Sequence, residues 1–161
     1  MQTAPINDLI NQLAAILRQQ DWQISTCESC TGGLMAKYFT DLAGSSDWFA
    51  GGLVTYSNAS KTRLAKVDAA LIETHGAVSE PVAEAMASGC RAAVDTQIAV
   101  SVTGIAGPGG ATVGKPVGTV CFGWAFPEQA WTLTHHFHGD RQQIREQTVV
   151  FAIQGLLERL D

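Results

Sequence analysis

The sequence predicts an α/β domain, a three-layer α/β/α sandwich around a mixed, mostly parallel sheet. Two observations carry this expectation. Helix-patterned and strand-patterned segments alternate through the first two thirds of the chain. Two strand-like runs then follow one another directly, before a last helix. Alternation of this kind builds a parallel sheet covered by helices on both faces. Strands joined directly add an antiparallel pair. The 161 residues fit one domain, 1–161, long enough to bury a core without disulfide or metal staples.

Residues 5–20 carry Ile6, Leu9, Ile10, Leu13, Ile16 and Leu17 at the spacing of an amphipathic helix. Gln23–Cys27 reads as a short strand, and Thr31 to about Leu42 as a second helix stopped near Gly44. Leu53–Tyr56 is a short β-prone run, after which Ser57 or Asn58 can cap a helix through Lys61 and Leu64. A further helical piece runs to His75, with Gly76 as its stop. Ser79 is the expected N-cap of the next helix, with Pro81 in its first turn and Val82, Met86, Cys90 and Ala93 along it. Gln97–Thr103, rich in Ile and Val, is the strongest strand, and the glycine-rich loop GIAGPGGATVGKP follows it. The consecutive strands are expected around Val117–Ala125 and Trp131–His138. Asp140 then caps a last helix carrying Ile144, Thr148, Phe151, Ala152 and Leu156.

Composition excludes several classes of function. No stretch approaches the roughly 18 apolar residues of a membrane span. The start, MQTAPINDLI, has no basic region followed by an apolar run, so no signal peptide and a cytoplasmic location are expected. Net charge is −5 and the ten Lys and Arg residues are scattered, which argues against a nucleic-acid partner. A small anionic ligand is compatible with this charge, because a few placed donors suffice.

The richest segment is Thr26-Cys27-Glu28-Ser29-Cys30-Thr31-Gly32-Gly33, at a strand-to-helix junction. The first N–H groups of a helix lack intrahelical partners and favour an anion or a developing oxyanion. Small residues there let a ligand approach the backbone. Ser29 is therefore a candidate nucleophile, with simple helix capping as the plain alternative. A serine hydroxyl needs a base. Nothing in the spacing around His75 singles it out. Alternation puts His136 and His138 on one strand face and His135 on the other, two ligands short of a third for zinc. Lys61 is the other candidate base, provided burial or nearby positive charge lowers its pKa, with a solvated surface charge as the plain alternative; Tyr56 is a candidate to relay or orient a proton, with simple packing as its alternative.

The loop Thr103-Gly104-Ile105-Ala106-Gly107-Pro108-Gly109-Gly110 lies beyond a strand's carboxyl end, where α/β sheets bind ligands. Its glycines can offer N–H groups to phosphate or simply make a turn. Gly109 to Lys115 matches G-x-x-x-x-G-K, but Pro116 replaces the Ser or Thr that holds magnesium and a strand follows, so an ATP-binding loop is rejected. Arg141 and Arg145 stand one turn apart on the last helix, able to clamp a phosphate or carboxylate or to face solvent.

Taken together, TxESCTGG, GGLVTYSNASK, HGAVSEPV, SVTGIAGPGG, KPVGTV and GDR occur in order over nearly the whole chain. They resemble the C-terminal domain of the competence/damage-inducible protein CinA, whose stand-alone form is known as nicotinamide-nucleotide amidase. The resemblance implies an anticodon-binding-domain-like α/β/α fold. It implies hydrolysis of the carboxamide of nicotinamide mononucleotide to nicotinic acid mononucleotide and ammonia, a step in pyridine-nucleotide recycling. It implies no metal or organic cofactor. The family's nucleophilic serine falls on Ser29, its tyrosine and lysine on Tyr56 and Lys61, and a substrate-contacting threonine on Thr103. A family arginine falls on Arg141 or Arg145, with Arg145 preferred for the ligand side. Backbone donors near Cys30, Thr31, Gly32 and Gly33, or in the loop with Gly104 and Gly107, are then expected at the oxyanion and the substrate phosphate.

Cys27 departs from the small residue usual in that motif and forms C-x-x-C with Cys30. The rival readings are therefore a thiol–disulfide oxidoreductase, a nucleotide-binding module without catalysis, and an amidase for another amide. A homodimer is expected, with a small nucleotide as the partner molecule and neither nucleic acid nor membrane.

Overall fold

The computed structural model describes residues 5–161. Residues 1–4, part of the stretch read for a signal peptide, lie outside the described residues. Among the described residues the chain forms six α-helices and one five-stranded sheet. In chain order these are α1 (Ile6–Gln20), β1 (Ile24–Glu28), α2 (Leu34–Asp41), β2 (Phe49–Val54), α3 (Asn58–Ala65), α4 (Ala69–His75), α5 (Glu80–Val94), β3 (Ile98–Gly104), β4 (Thr119–Ala125), β5 (Ala130–His136) and α6 (Arg141–Leu160). A single 3-10 turn, Ser45–Asp47, precedes β2. No helix among the described residues is long and apolar enough to cross a membrane.

The strand order is β2-β1-β3-β4-β5. β1 pairs in parallel with β2 and β3, while β3–β4 and β4–β5 are antiparallel. Four strands thus point one way and β4 alone runs against them, the mixed, mostly parallel sheet expected. Helices cover both faces. Leu9, Leu13 and Leu17 of α1, Met35 and Phe39 of α2, and Ile144, Ala152 and Leu156 of α6 pack with Ile98, Val100 and Val102 of β3. Val82, Met86 and Cys90 of α5, with Ala65 and Ile72, pack on the opposite face against Cys27 and Ala99. Alternation along β3 sends Val100 and Val102 to one layer and Ala99 to the other.

The α5 layer sits close to the sheet. A Cβ on Gly123 of β4 would meet the carbonyl of Ala83, and, between helices, one on Gly89 of α5 would meet the carbonyl of Ala65 at the end of α3. Small residues at these crossings let the helix backbone approach.

Element ends follow local chemistry. Asp140 and Gln143 form a reciprocal capping box at α6, with Asp140 accepting from the Gln143 N–H at 2.9 Å and Gln143 accepting from the Asp140 N–H at 2.8 Å. Ser57, not Asn58, caps α3, accepting from the Ser60 N–H at 3.1 Å. Ser79 occupies the N-cap position of α5, yet its hydroxyl donates to the Gly76 carbonyl at 2.7 Å.

Several boundaries correct the sequence reading, and β5 ends at His136 rather than His138. β2 spans Phe49–Val54 rather than Leu53–Tyr56, because the run Ala50-Gly51-Gly52 carries no β-propensity of its own. Gly52 is there for space: a Cβ would collide with Thr26 Oγ1 of β1. β4 starts at Thr119, since Gly118 turns at φ 96°. α2 starts at Leu34 instead of Thr31, because Gly32 (φ 60°) and Gly33 (φ 105°) insert a left-handed turn between β1 and the helix.

Candidate active site

β1, β2 and β3 end together at the carboxyl end of the sheet, where the chain after β1 enters α2 on one face and the chain after β2 enters α3 on the other. Such a switch point opens a crevice beyond the strand ends. A cleft of about 300 Å³ lies there, lined among others by Ser29, Lys61, Thr103, Gly107 and Arg141.

Ser29 follows β1 directly. Its N–H donates to the Val102 carbonyl at 3.0 Å, and its carbonyl accepts from the Gly32 N–H at 3.1 Å. The side chain is 7% exposed and faces the cleft. It does not cap α2, because that position belongs to Gly33. The plain capping alternative therefore fails.

Lys61 reaches the same point from α3. Its Nζ lies 3.0 Å from Ser29 Oγ and donates to the Thr55 carbonyl at 2.7 Å and to the Tyr56 carbonyl at 3.2 Å. The residue is 1% exposed. Burial pushes its pKa below the ordinary lysine value, opposed only by the thiols of Cys27 and Cys30. This geometry suits a base. A neutral amine has two N–H groups and one lone pair. The two carbonyls can only accept, so they take the N–H groups, and the lone pair is left for the Ser29 hydroxyl.

Tyr56 is placed differently from the expected proton relay. Its backbone carbonyl touches Lys61, but the ring is 63% exposed at the cleft mouth. Its hydroxyl accepts from Arg141 Nη2 at 3.4 Å. Arg141 also donates from Nη1 to the Gly107 carbonyl at 2.7 Å, which bridges the mouth to the glycine-rich loop. Contrary to the preference for Arg145, Arg141 is the arginine in the cleft wall. Arg145 instead donates to the carbonyls of Cys30 and Thr31, at 3.1 and 2.8 Å. Thr103 lines the cleft, with its hydroxyl donating to the Ala77 carbonyl at 2.9 Å, and Gly104 sits where a Cβ would press on Val120. Thr31, Gly32 and Gly33 are not among the lining residues.

The sequence reading missed Glu28. This buried carboxylate accepts from the Thr31 hydroxyl at 2.7 Å and from the N–H groups of Met35 and Ala36 at 2.8 and 3.0 Å. It occupies the N-terminus of α2, so those helix donors are not free for an oxyanion. An acidic residue just before a helix was the available signal. Asn58 and the Ala77–Val78 segment also line the cleft, inside stretches already quoted for the resemblance.

The thiols do not form a redox pair. Cys27 lies within β1, and Cys27 and Cys30 are free and buried. Hydrogen bonding with Cys90 and burial push the Cys27 thiol up, and burial pushes Cys30 up to about 12. A reactive C-x-x-C thiol needs the opposite shift. Among the described residues no His, Cys, Asp and Glu cluster could hold a metal ion. Lys115 of the rejected phosphate-loop match donates to the His75 carbonyl at 3.2 Å, inside a small Thr112–Lys115 hairpin.

The fold has counterparts among solved structures. The fold matches a competence damage-inducible protein from Klebsiella pneumoniae at TM-score 0.95 and 35% identity, covering 98% of each chain. A competence/damage-inducible protein from Agrobacterium tumefaciens matches at TM-score 0.90 and 37% identity, again over 98% of each chain. Residues 6–160 match the CinA C-terminal domain.

The chain belongs to the CinA C-terminal domain family. Within it, nicotinamide-nucleotide amidohydrolase PncC of Enterobacter agglomerans is 46% identical over 158 residues, covering 98% of this chain and 96% of that one. PncC of Pseudomonas putida is 46% identical, covering 96% of each. A CinA-like protein of Mycolicibacterium gilvum is 52% identical, but the match spans 35% of its length.

Proposed function

We propose that this chain hydrolyses the carboxamide of nicotinamide mononucleotide, giving nicotinic acid mononucleotide and ammonia. The observation that carries the reading is the buried Lys61 amine 3.0 Å from Ser29 Oγ. Similarity to two nicotinamide-nucleotide amidohydrolases along nearly their whole length supplies the substrate.

Neutral Lys61 takes the proton as Ser29 Oγ attacks the amide carbon. The Thr55 and Tyr56 carbonyls stabilise the ammonium that forms. The backbone N–H of Cys30, next to the nucleophile, faces the developing oxyanion. Lys61 returns the proton to the leaving nitrogen, and ammonia departs. Water then attacks the Ser29 ester with Lys61 again as base, and Lys61 passes that proton to the departing Ser29 Oγ, releasing the carboxylic acid and restoring the free serine. Arg141 and the glycine-rich loop hold the phosphate. The exposed face of Tyr56 offers a π-surface to the cationic pyridinium ring.

Ammonia release from nicotinamide mononucleotide by the purified protein, alongside Ser29→Ala and Lys61→Ala, tests this. Release lost in both folded variants supports it. Release surviving Ser29→Ala removes the nucleophile, and nucleotide binding without release by the wild type points to a binding module.

A further inference from the structure

Arg145 stands one turn beyond Arg141 on α6 but faces another group. We propose that Arg145 is a positioning residue, which holds the peptide groups after Ser29 in the orientation that receives the oxyanion. This rests on the reading of Ser29 as nucleophile.

One guanidinium holds two successive carbonyls: Nε donates to Cys30 at 3.1 Å and Nη2 donates to Thr31 at 2.8 Å, across more than a hundred residues of chain. In a trans peptide the C=O and the following N–H point in opposite directions. Drawing the Thr31 carbonyl toward α6 turns the Gly32 N–H away from it, toward the Ser29 carbonyl. The Ser29 carbonyl is held by the Gly32 N–H, which turns the Cys30 N–H outward in the same way. The N–H of Cys30, which lines the cleft, engages no acceptor of another residue among the described residues, so it is the donor left beside Ser29.

The turn needs an external tie. It joins β1 to α2 through two left-handed glycines, Gly32 and Gly33, whose backbones resist rotation least. The α2 donors Met35 and Ala36 are already bound to Glu28 and cannot substitute. A planar guanidinium can span two acceptors at fixed spacing, whereas an ammonium is a point donor.

The test uses the full chain with Arg145→Lys, Arg145→Ala and, for contrast, Arg141→Ala. Three quantities are read: kcat and KM with nicotinamide mononucleotide, the rate at which phenylmethanesulfonyl fluoride modifies Ser29, and rescue by added methylguanidinium. The expected result is a fall in kcat of about 10- to 100-fold for both Arg145 variants. KM should stay within about threefold of wild type. Ser29 modification should slow in parallel, and methylguanidinium should restore part of the Arg145→Ala loss. The acid limb of the pH profile should not move, because Lys61 is untouched. A raised KM with kcat kept would make Arg145 a substrate ligand and overturn the inference. So would unchanged Ser29 modification in Arg145→Lys, which keeps the charge and most of the stem if Arg145→Ala does not fold. A wild type that is modified at Ser29 but releases no ammonia sinks the substrate reading alone, since the modification rates still test Arg145. A wild type not modified at Ser29 sinks both.

Discussion

Lys61 Nζ and Ser29 Oγ lie 3.0 Å apart, brought together from positions 32 residues distant in the chain. The lysine is buried, and none of the ion pairs among the described residues includes it. A buried ammonium without a carboxylate is costly, so the environment favours the neutral amine. That preference is what a general base at ordinary pH requires.

Activity should therefore rise with pH along a limb that reports Lys61. Its midpoint should fall below the ordinary lysine value of about 10.4, as the burial-driven lowering requires. A pH profile of kcat/KM checks this. A limb that stays at the ordinary lysine value, or no acid limb at all, would remove Lys61 as base.

The same shift has a stability consequence of fixed sign. With the folded pKa below the unfolded one, the unfolded chain binds more protons between the two values. Stability from this group is lost as pH falls through the folded pKa and is complete above the unfolded pKa. Wild type should gain stability relative to Lys61→Met as pH rises through that window, by up to about 1.4 kcal/mol per pH unit. Denaturant titrations of both proteins at several pH values measure the difference. A difference that shrinks with rising pH contradicts the lowered pKa.

Tyr56→Phe should keep kcat within about threefold, because the phenol contacts Arg141 and not the Ser29–Lys61 pair. Tyr56→Ala should raise KM more than it lowers kcat, through loss of the ring face. Steady-state kinetics separate these outcomes. A large kcat loss in Tyr56→Phe would restore the hydroxyl as a proton relay.

Arg141→Ala should raise KM by about 10- to 100-fold, the loss expected for a charge-assisted contact of about 1.5–3 kcal/mol. The nicotinamide nucleoside lacking phosphate should lose little between wild type and variant. An equal loss with the nucleoside would mean that Arg141 acts on something other than the phosphate.

Cys27→Ala should leave ammonia release intact and insensitive to reductant, while costing about 1 kcal/mol of stability for the lost buried sulfur. Activity assays with and without dithiothreitol, together with thermal melts, test both halves. Activity that needs an oxidisable Cys27 would reopen the redox reading.

The chain's own pattern determined most of the architecture. The spacing of Leu9, Leu13 and Leu17 requires a helix with one buried face, and the Asp140–Gln143 pair marks the start of α6. Ser29 and Lys61 were candidates by residue type, each with a plain alternative, and the family resemblance singled them out. β2 was not placed correctly, because Gly51 and Gly52 suit a contact with β1 that no local propensity records. The role of Glu28 was hidden for a related reason: its acceptors are spent on N–H groups seven and eight residues away, after a left-handed turn. The two arginines show the limit most sharply. At i and i+4 they share one helix face, so sequence cannot tell them apart. Only the docking of α6 on the β3–β4 face of the sheet decided it, putting Arg141 over the cleft and Arg145 against the Cys30–Thr31 turn. The lysine's state was likewise a tertiary matter, since burial lowers a pKa and burial is a property of the packed molecule.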